Sequence, residues 1–106
     1  MMIKEVSENK KEFLDLLLLA DEREEMIDLY LERGIMYALY DDGLKVELVV
    51  TDEGDGVLEI KNIVTVPVHQ RRGYVRKLID FITQIARCNS SLSCSFFVST
   101  ILFSAL

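Results

Sequence analysis

The sequence predicts a single α+β domain, with helices layered on a mainly antiparallel sheet, and three observations support this. Helical periodicity fills the first third of the chain and ends at Gly34. Alternating segments then follow, separated by Asp-Gly pairs, the dipeptide that most favours a tight hairpin. A further helical pattern begins after the only proline, Pro67. With 106 residues, half of them apolar, the chain is long enough for one core.

The first third predicts one strand and two helices. Met2 to Val6 is a strand candidate, and apolar positions after Lys10 form the broad face of a helix that ends near Ala20. A second helix carries acids in its first turn, where the helix dipole favours them, and Gly34 ends it. The residues placed to cap these helices are Ser7 or Asn9 for the first and Asp21 for the second.

An antiparallel meander and a third helix follow. The predicted strands are Met36 to Tyr40, Leu44 to Thr51 and Val57 to Val66, with turns at Asp42-Gly43 and Asp55-Gly56. Because the last strand ends with apolar residues on both faces, we expect it to be central and covered on both sides. The third helix begins around Arg72, has Leu78 and Ile82 on its buried face, and ends near Cys88.

Charge is unevenly distributed along the chain. The formal net charge is −6, yet residues 61–87 contain six Lys or Arg and one acid, while the other 17 acids all precede Ile60. One basic strand and helix in an acidic chain favours a small anionic ligand over nucleic acid, which needs a broader basic surface. A basic, solvated helix face is the alternative interpretation.

The composition changes after Arg87. Residues 88–106 contain no charged residue and six of the seven serines, and Ser93 to Ile101 is a candidate fifth strand. We therefore divide the chain into a core, residues 1–87, and an atypical apolar, serine-rich tail, residues 88–106. The apolar run of the tail is too short to span a membrane, and as an exposed strand it is a candidate homodimer contact.

Compartment and metal content are predicted from the N-terminus and the cysteines. No secretory signal pattern occurs, so the sequence predicts a cytoplasmic protein. The chain has one histidine, and Cys88 and Cys94 lack the spacing of a metal knuckle, so we expect neither a zinc site nor a disulfide scaffold. Cys94 also has no His or acid partner that the sequence can place for nucleophilic catalysis.

The basic turn before the third helix is the candidate functional site. A β-branched run ends at Pro67, and Gln70-Arg71-Arg72-Gly73 then leads into the helix. A helix N-terminus has backbone N–H groups without partners and a partial positive charge, so a phosphate binds there favourably. The arginines add full charges, and Gly73 has no Cβ to obstruct the approach of a phosphate.

The same segment resembles the acetyl-CoA signature of the GCN5-related N-acetyltransferase (GNAT) family. Leu58-Glu59-Ile60-Lys61-Asn62-Ile63-Val64 matches the family's strand, and Gln70-Arg71-Arg72-Gly73-Tyr74-Val75 matches its (Gln/Arg)-x-x-Gly-x-(Gly/Ala) turn in register. The element order over residues 1–87 is similar to the N-terminal half of that fold. The resemblance implies an incomplete acyl-CoA N-acyltransferase fold, acetyl-CoA as co-substrate, and a small-molecule or peptide amine as acceptor.

The resemblance also implies the residues of a cofactor site. In the family, the strand end offers backbone groups to the pantetheine arm and the turn amides bind the pyrophosphate. On this chain the arm maps to Val64, Thr65 and Val66, and the pyrophosphate to Gln70, Arg71, Arg72, Gly73, Tyr74, Val75 and Arg76. Val75 replaces a usual Gly or Ala and Val66 a usual polar residue, and both departures act against tight binding.

The catalytic groups are less well specified. Glu59 is a candidate general base, acting directly or through water, and otherwise an ordinary strand carboxylate. His69 titrates in a suitable range, and a solvated loop histidine is the alternative. Three tyrosines are candidates for an acceptor pocket or for the core: Tyr30, Tyr37 and Tyr40.

Two functions follow from the sequence. The first is an acetyl-CoA-dependent N-acetyltransferase that acts on a primary amine. The family's fold normally continues with further strands and a helix that supplies a tyrosine general acid, so we expect a truncated or altered chain with impaired activity. The second is a non-catalytic remnant that dimerises through its tail and binds CoA weakly or not at all.

Overall fold

The computed structural model describes residues 1–54, 57–88 and 95–98, which form one sheet with helices packed against it. The helices are α1 (Leu14–Ala20), α2 (Glu24–Arg33) and α3 (Tyr74–Cys88), and the strands are β1 (Met2–Val6), β2 (Ile35–Tyr40), β3 (Leu44–Gly54), β4 (Val57–Thr65) and β5 (Ser95–Val98). The strands lie in the order β1-β2-β3-β4-β5; the first four are antiparallel, and β5 is parallel to β4. The predicted α+β class is confirmed.

The predicted fifth strand exists as β5, within the stretch Ser93 to Ile101. The Asp55-Gly56 turn, Cys94 and the rest of the tail beyond residue 88 lie outside the described residues. The division into a core and a tail therefore stays a prediction. None of the helices in the described ranges is long and apolar enough to cross a bilayer.

Alternation of side chains along the central strands divides the core into two clusters. In the first, Val46, Leu48 and Val50 of β3 pack in one group with Leu78 and Ile82 of α3. The second lies against α1 and α2 and comprises Leu17, Ile27, Tyr30, Leu31, Met36 and Val49. Each fully buried aliphatic side chain contributes about 1.5–3 kcal/mol to folding. The sheet is thus covered on both faces, as predicted for its central part.

The predicted hairpin turn agrees with the structure, whereas the predicted N-terminal helix caps do not. Asp42 and Gly43 both have positive φ, 57° and 101°, as the predicted hairpin requires. Asn9 precedes the 3₁₀ turn Lys10–Phe13 but makes no capping hydrogen bond through its side chain. The prediction that Asp21 caps α2 is wrong, because Arg23 holds that position and Asp21 Oδ1 accepts from the Arg23 backbone N–H at 3.0 Å. An Asp side chain can form such a local turn without capping the helix itself.

Gly34 ends α2 for a steric reason. Its backbone is extended, with φ −96° and ψ 179°, and its N–H donates to the carbonyl of Tyr30 at 2.8 Å. A Cβ at this position would lie 2.7 Å from the carbonyl oxygens of both Tyr30 and Val50. Glycine is therefore required by the close approach of the end of α2 to β3, and no left-handed conformation is involved.

A buried polar cluster joins α1, α2 and the sheet. Asn62 Nδ2 donates to the carbonyl of Leu17 at 3.0 Å and to the hydroxyl of Tyr30 at 2.9 Å. Burial raises the pKa of Tyr30 to about 12. Glu47 of β3 is fully buried, and its two carboxyl oxygens have no hydrogen-bond partner among the described residues. Burial raises the pKa of Glu47 well above its ordinary value.

Candidate functional site

A cavity of about 370 Å³ lies where β4 ends and α3 begins. The 3₁₀ turn Pro67–His69 leaves the sheet, and two left-handed residues, Arg71 with φ 66° and Gly73 with φ 81°, then redirect the chain into the helix. The cavity is lined by Thr65, His69, Arg71, Arg72, Gly73, Tyr74, Val75, Arg76 and Ile79. Its wall is therefore formed almost entirely by one continuous segment.

The cavity has the chemistry of an anion site. Lys77 N–H makes the first helical hydrogen bond, to the carbonyl of Gly73 at 3.2 Å. The N–H groups of Tyr74, Val75 and Arg76 thus precede the first position with a helical acceptor, and all three residues line the cavity. Arg71, Arg72 and Arg76, each with a guanidinium group, line the same cavity. Backbone donors, helix dipole and side-chain charge together favour a phosphate here.

Tyr74 is held in place by the β2–β3 turn. Its hydroxyl donates to Asp41 Oδ2 at 3.0 Å, and this hydrogen bond raises the pKa of Tyr74. The contact joins the first residue of α3 to a residue 33 positions earlier in the chain. The start of the helix is thereby fixed against the sheet.

Among the described residues, no strand pairs with the second half of β4 on the side away from β3, and we call this side the open edge of β4. β5 pairs with β4 only from Val57 to Ile60 in the described part of the chain. The N–H of Val66 donates to the carbonyl of Lys45 on β3 at 2.8 Å. Because backbone groups of successive residues in a strand point to opposite sides, the N–H and C=O of Thr65 point away from β3, towards the open edge. An extended ligand can therefore pair with this edge.

The predicted cofactor residues divide into two groups. Seven of the ten line the cavity: Thr65, Arg71, Arg72, Gly73, Tyr74, Val75 and Arg76. Val64, Val66 and Gln70 do not, and the Gln70 N–H already donates to the Pro67 carbonyl at 3.4 Å. By the alternation of β4, Val64 shares the orientation of Val66 and directs its backbone groups towards β3. The roles predicted for these ten residues stay predictions.

Sequence reasoning missed two lining residues and one neighbour. It considered His69 only as a base, and it did not single out Ile79 as part of the site. It also passed over Lys45, which is only 6% exposed and whose Nζ lies 3.2 Å from His69 Nε2. The i, i+3 spacing of Arg76 and Ile79 on α3 was a usable signal, whereas the contact of Lys45 is non-local.

Glu59 lies towards the other end of β4 from the anion cavity. It is opposite Thr51 of β3, and its carboxylate forms an ion pair with Lys61 Nζ at 2.9 Å. Thr65 is six positions further along the strand, roughly 20 Å of extended chain. The structure thus does not bring Glu59 to the phosphate end of the site, and only a ligand that extends along β4 would approach it.

The tyrosines considered for an acceptor pocket contact the fold itself. Tyr30 and Tyr37 are both buried; Tyr37 packs edge-on against Phe81 with ring centroids 6.5 Å apart. Tyr40 lies under the ammonium of Lys4, which is 5.5 Å from its ring centroid. These contacts favour the core interpretation for Tyr30 and Tyr37.

A second cavity, of about 420 Å³, lies between the segment before α1 and α2. Its lining includes two cations, Lys10 and Lys11, which makes it a second candidate for anion binding. Lys11 however forms ion pairs with Glu24 and Asp28, and Lys10 donates to the carbonyl of Leu31 at 2.8 Å. Because these cations already have partners, this cavity is a weaker anion site than the one at α3.

Comparison with solved structures gives similar chains over most of the sequence. A GNAT family acetyltransferase from Elizabethkingia anophelis, solved with acetyl-CoA bound, is 30% identical with a TM-score of 0.72 and covers 82% of this chain and 57% of its own. A Bacillus subtilis acetyltransferase solved with CoA is 32% identical with a TM-score of 0.71, and the match covers 82% of this chain and 58% of that protein. An IAA acetyltransferase from Bacillus cereus is 27% identical with a TM-score of 0.71, and the match covers 83% of this chain and 59% of that protein. No protein-family model and no curated protein matches the sequence.

The fold and these likenesses place the chain among proteins with the acyl-CoA N-acyltransferase fold. The likeness to these acetyltransferases confirms the resemblance to the GCN5-related N-acetyltransferase family seen in the sequence. It spans between 57% and 59% of the length of these three proteins.

Proposed function

We propose that this chain binds acetyl-CoA and transfers its acetyl group to a primary amine. The observation that carries the proposal is the cavity at the start of α3, which is lined by three arginines and by the first three residues of the helix. Support also comes from the two acetyltransferases at 30% and 32% identity, which were solved with acetyl-CoA or CoA. A pyrophosphate matches this combination of charge and backbone donors.

The residues that would hold the cofactor follow from the geometry. The N–H groups of Tyr74, Val75 and Arg76 are candidates for the pyrophosphate oxygens, together with the nearby guanidinium groups. The pantetheine arm contains amide groups, which can pair with the open edge of β4 as an added strand would. On that edge Thr65 presents both its N–H and its C=O, so we assign it the main backbone contact with the arm.

Bound acetyl-CoA supplies a thioester, whose acetyl group passes to an amine nitrogen. The nucleophile is the neutral amine, so the chain would have to take a proton from its ammonium form before attack. It would also have to stabilise negative charge on the carbonyl oxygen while the C–N bond forms, the C–S bond breaks and CoA leaves as the thiol. Backbone N–H groups on the open edge of β4 are candidates for the second task. Glu59 is the candidate for the first, directly or through water, since its carboxylate lies on the same strand as that edge.

Calorimetric titration with acetyl-CoA tests the binding half of the proposal. Arg76→Gln removes a guanidinium group from the cavity wall and should weaken binding about tenfold or more, the loss of a hydrogen bond to a charged oxygen. Lys77→Gln is the matched control, since Lys77 is one residue further along α3 and outside the lining. Equal effects of the two variants would show that the site is elsewhere, and no binding to the unmodified chain would overturn the proposal.

Thiol release in the presence of a panel of primary amines tests the catalytic half. Glu59→Gln should reduce turnover without changing acetyl-CoA affinity, because Glu59 lies outside the anion cavity. Binding without thiol release for any amine would favour the second function, a non-catalytic chain. Sedimentation would then show whether that chain dimerises, as the composition of its tail predicts.

A further inference from the structure

The imidazole of His69 lies between two cations. Its Nε2 is 3.2 Å from Lys45 Nζ, and its Nδ1 is 3.4 Å from Arg72 Nη1. Lysine and arginine side chains can only donate hydrogen bonds, whereas a neutral imidazole has one N–H and one acceptor nitrogen. The ring can therefore accept from only one of its two neighbours, and its N–H faces the other donor.

Lys45 is the neighbour whose position is better defined. Its side chain is buried, and its ammonium also donates to the carbonyl of Asp42 at 3.1 Å. Within the described ranges, no carboxylate lies within 4 Å of this ammonium. A buried ammonium needs its hydrogen bonds more than an exposed guanidinium does, so the acceptor nitrogen of His69 should be Nε2.

We propose that Lys45 fixes His69 as the tautomer protonated at Nδ1, and that this N–H donates to a phosphate oxygen in the α3 cavity. His69 is then a phosphate ligand in addition to the arginines and the helix N–H groups, and Lys45 is a positioning residue that acts through the ring. The proposal deepens the proposed function and rests on it, because the phosphate in question is that of acetyl-CoA.

An anion resolves the conflict at Nδ1. Without a ligand, the Nδ1–H and the guanidinium of Arg72 are two donors directed at each other. A phosphate oxygen placed between them accepts from both, and His69 and Arg72 both line the cavity. The site therefore suits an acceptor that none of the described residues provides at this point.

The surroundings of His69 favour the neutral form of its ring. Partial burial lowers the pKa of His69, and the charges of Lys45 on β3 and Arg72 in the turn lower it further. On α3, Arg76 adds a third cation to the same cavity. A lowered pKa favours the neutral ring, which donates from one nitrogen only, so the tautomer decides whether that donor faces the cavity.

The single histidine of the chain makes this inference directly measurable. Long-range ¹H–¹⁵N correlation spectra of the ¹⁵N-labelled protein report which imidazole nitrogen carries the proton. We expect one tautomer protonated at Nδ1, and a change in the Nδ1 resonance when inorganic pyrophosphate is added. A ring protonated at Nε2, or an Nδ1 resonance that is unchanged while pyrophosphate binds, would overturn the proposal.

Substitution of Lys45 tests its positioning role. Lys45→Met keeps the length of the side chain but removes the donor, so the ring should lose its single tautomer and its pKa should rise. Lys77→Met is the control, since Lys77 makes no hydrogen bond to His69, and it should leave the tautomer unchanged. An unchanged tautomer in a folded Lys45→Met variant would show that Lys45 does not fix the ring.

Two variants of His69 test its role as a ligand. The amide nitrogen of an asparagine falls near the position of Nδ1 and that of a glutamine near Nε2, so His69→Asn should retain acetyl-CoA affinity while His69→Gln should lose about tenfold. Equal affinities for both variants and the unmodified chain would overturn this proposal and leave the proposed function standing. No acetyl-CoA binding to the unmodified chain, with pyrophosphate still detected at Nδ1, would overturn the proposed function alone.

Discussion

Replacing Glu47 with glutamine should change how the stability of the protein depends on pH. Glu47 is fully buried at the centre of β3, opposite Ala38 and Val64, and its oxygens have no hydrogen-bond partner among the described residues. An isolated buried carboxylate is far less stable than a buried neutral acid. The folded protein therefore holds Glu47 protonated under conditions in which the unfolded chain ionises it.

The sign follows from linkage. Burial raises the pKa of folded Glu47 well above 4.5, so between 4.5 and the folded value the native state binds a proton that the unfolded state releases. Stability is thus unaffected by this group below about pH 4.5 and decreases as the pH rises towards the folded pKa. The slope is about 1.4 kcal/mol per pH unit. Since a domain is typically stable by about 5–15 kcal/mol, two such units are a large fraction of the total.

Urea unfolding at several pH values between 4.5 and 8 measures this effect. The unmodified protein should lose stability over this range relative to Glu47→Gln, whose amide does not titrate. Glu47→Leu should in addition be more stable at pH 7, by about 1–3 kcal/mol, because it buries no unpaired polar group. Glu32→Gln, which removes an exposed carboxylate, is the control. Parallel stability curves for the unmodified protein and Glu47→Gln would refute the reasoning.

The remaining predictions concern two glycines and one hydrogen bond. Gly73→Glu should abolish acetyl-CoA binding. Gly54→Glu is the control and should only lower the melting temperature, because both glycines have a positive φ, with a strain of about 1–2 kcal/mol, and open space for a Cβ. Equal binding by both variants would place the site elsewhere. Gly34→Ala should destabilise by about 1–3 kcal/mol in urea unfolding, since its Cβ would meet two carbonyl oxygens; an unchanged midpoint would contradict this. Tyr30→Phe should cost about 1 kcal/mol because Asn62 loses an acceptor, and the loss should vanish in an Asn62→Leu background.

The location of the candidate site could be predicted from sequence because the site is local. Eight of its nine lining residues fall between His69 and Ile79, and the ninth, Thr65, ends the preceding strand. A strand, a turn with glycine and a helix start can be identified from periodicity and composition within one window of about 15 residues. The order and type of the elements were predictable for the same reason, since each has its own periodicity.

Contacts between distant segments could not be predicted. The pairing of Lys45 with His69 spans 24 residues and that of Asp41 with Tyr74 spans 33, and no local pattern specifies either. The sequence also did not show which residues of β4 hydrogen-bond to β3. Composition identifies a strand but not which residues direct their N–H groups to the neighbouring strand, so Val64 and Val66 were assigned together with Thr65. The bond from the Val66 N–H to Lys45 removes this ambiguity.

Strand β3 carries two buried ionisable residues, Lys45 and Glu47. Lys45 and Glu47 are two positions apart and therefore on the same face of the strand, yet they form no ion pair. An ionised carboxylate on this face would attract an ammonium, whereas a protonated one would attract it far less. Lys45 instead donates to the carbonyl of Asp42 and lies 3.2 Å from Nε2 of His69, a residue that lines the cavity. The stability test measures the protonation of Glu47, and the tautomer test on His69 measures the hydrogen bond of Lys45.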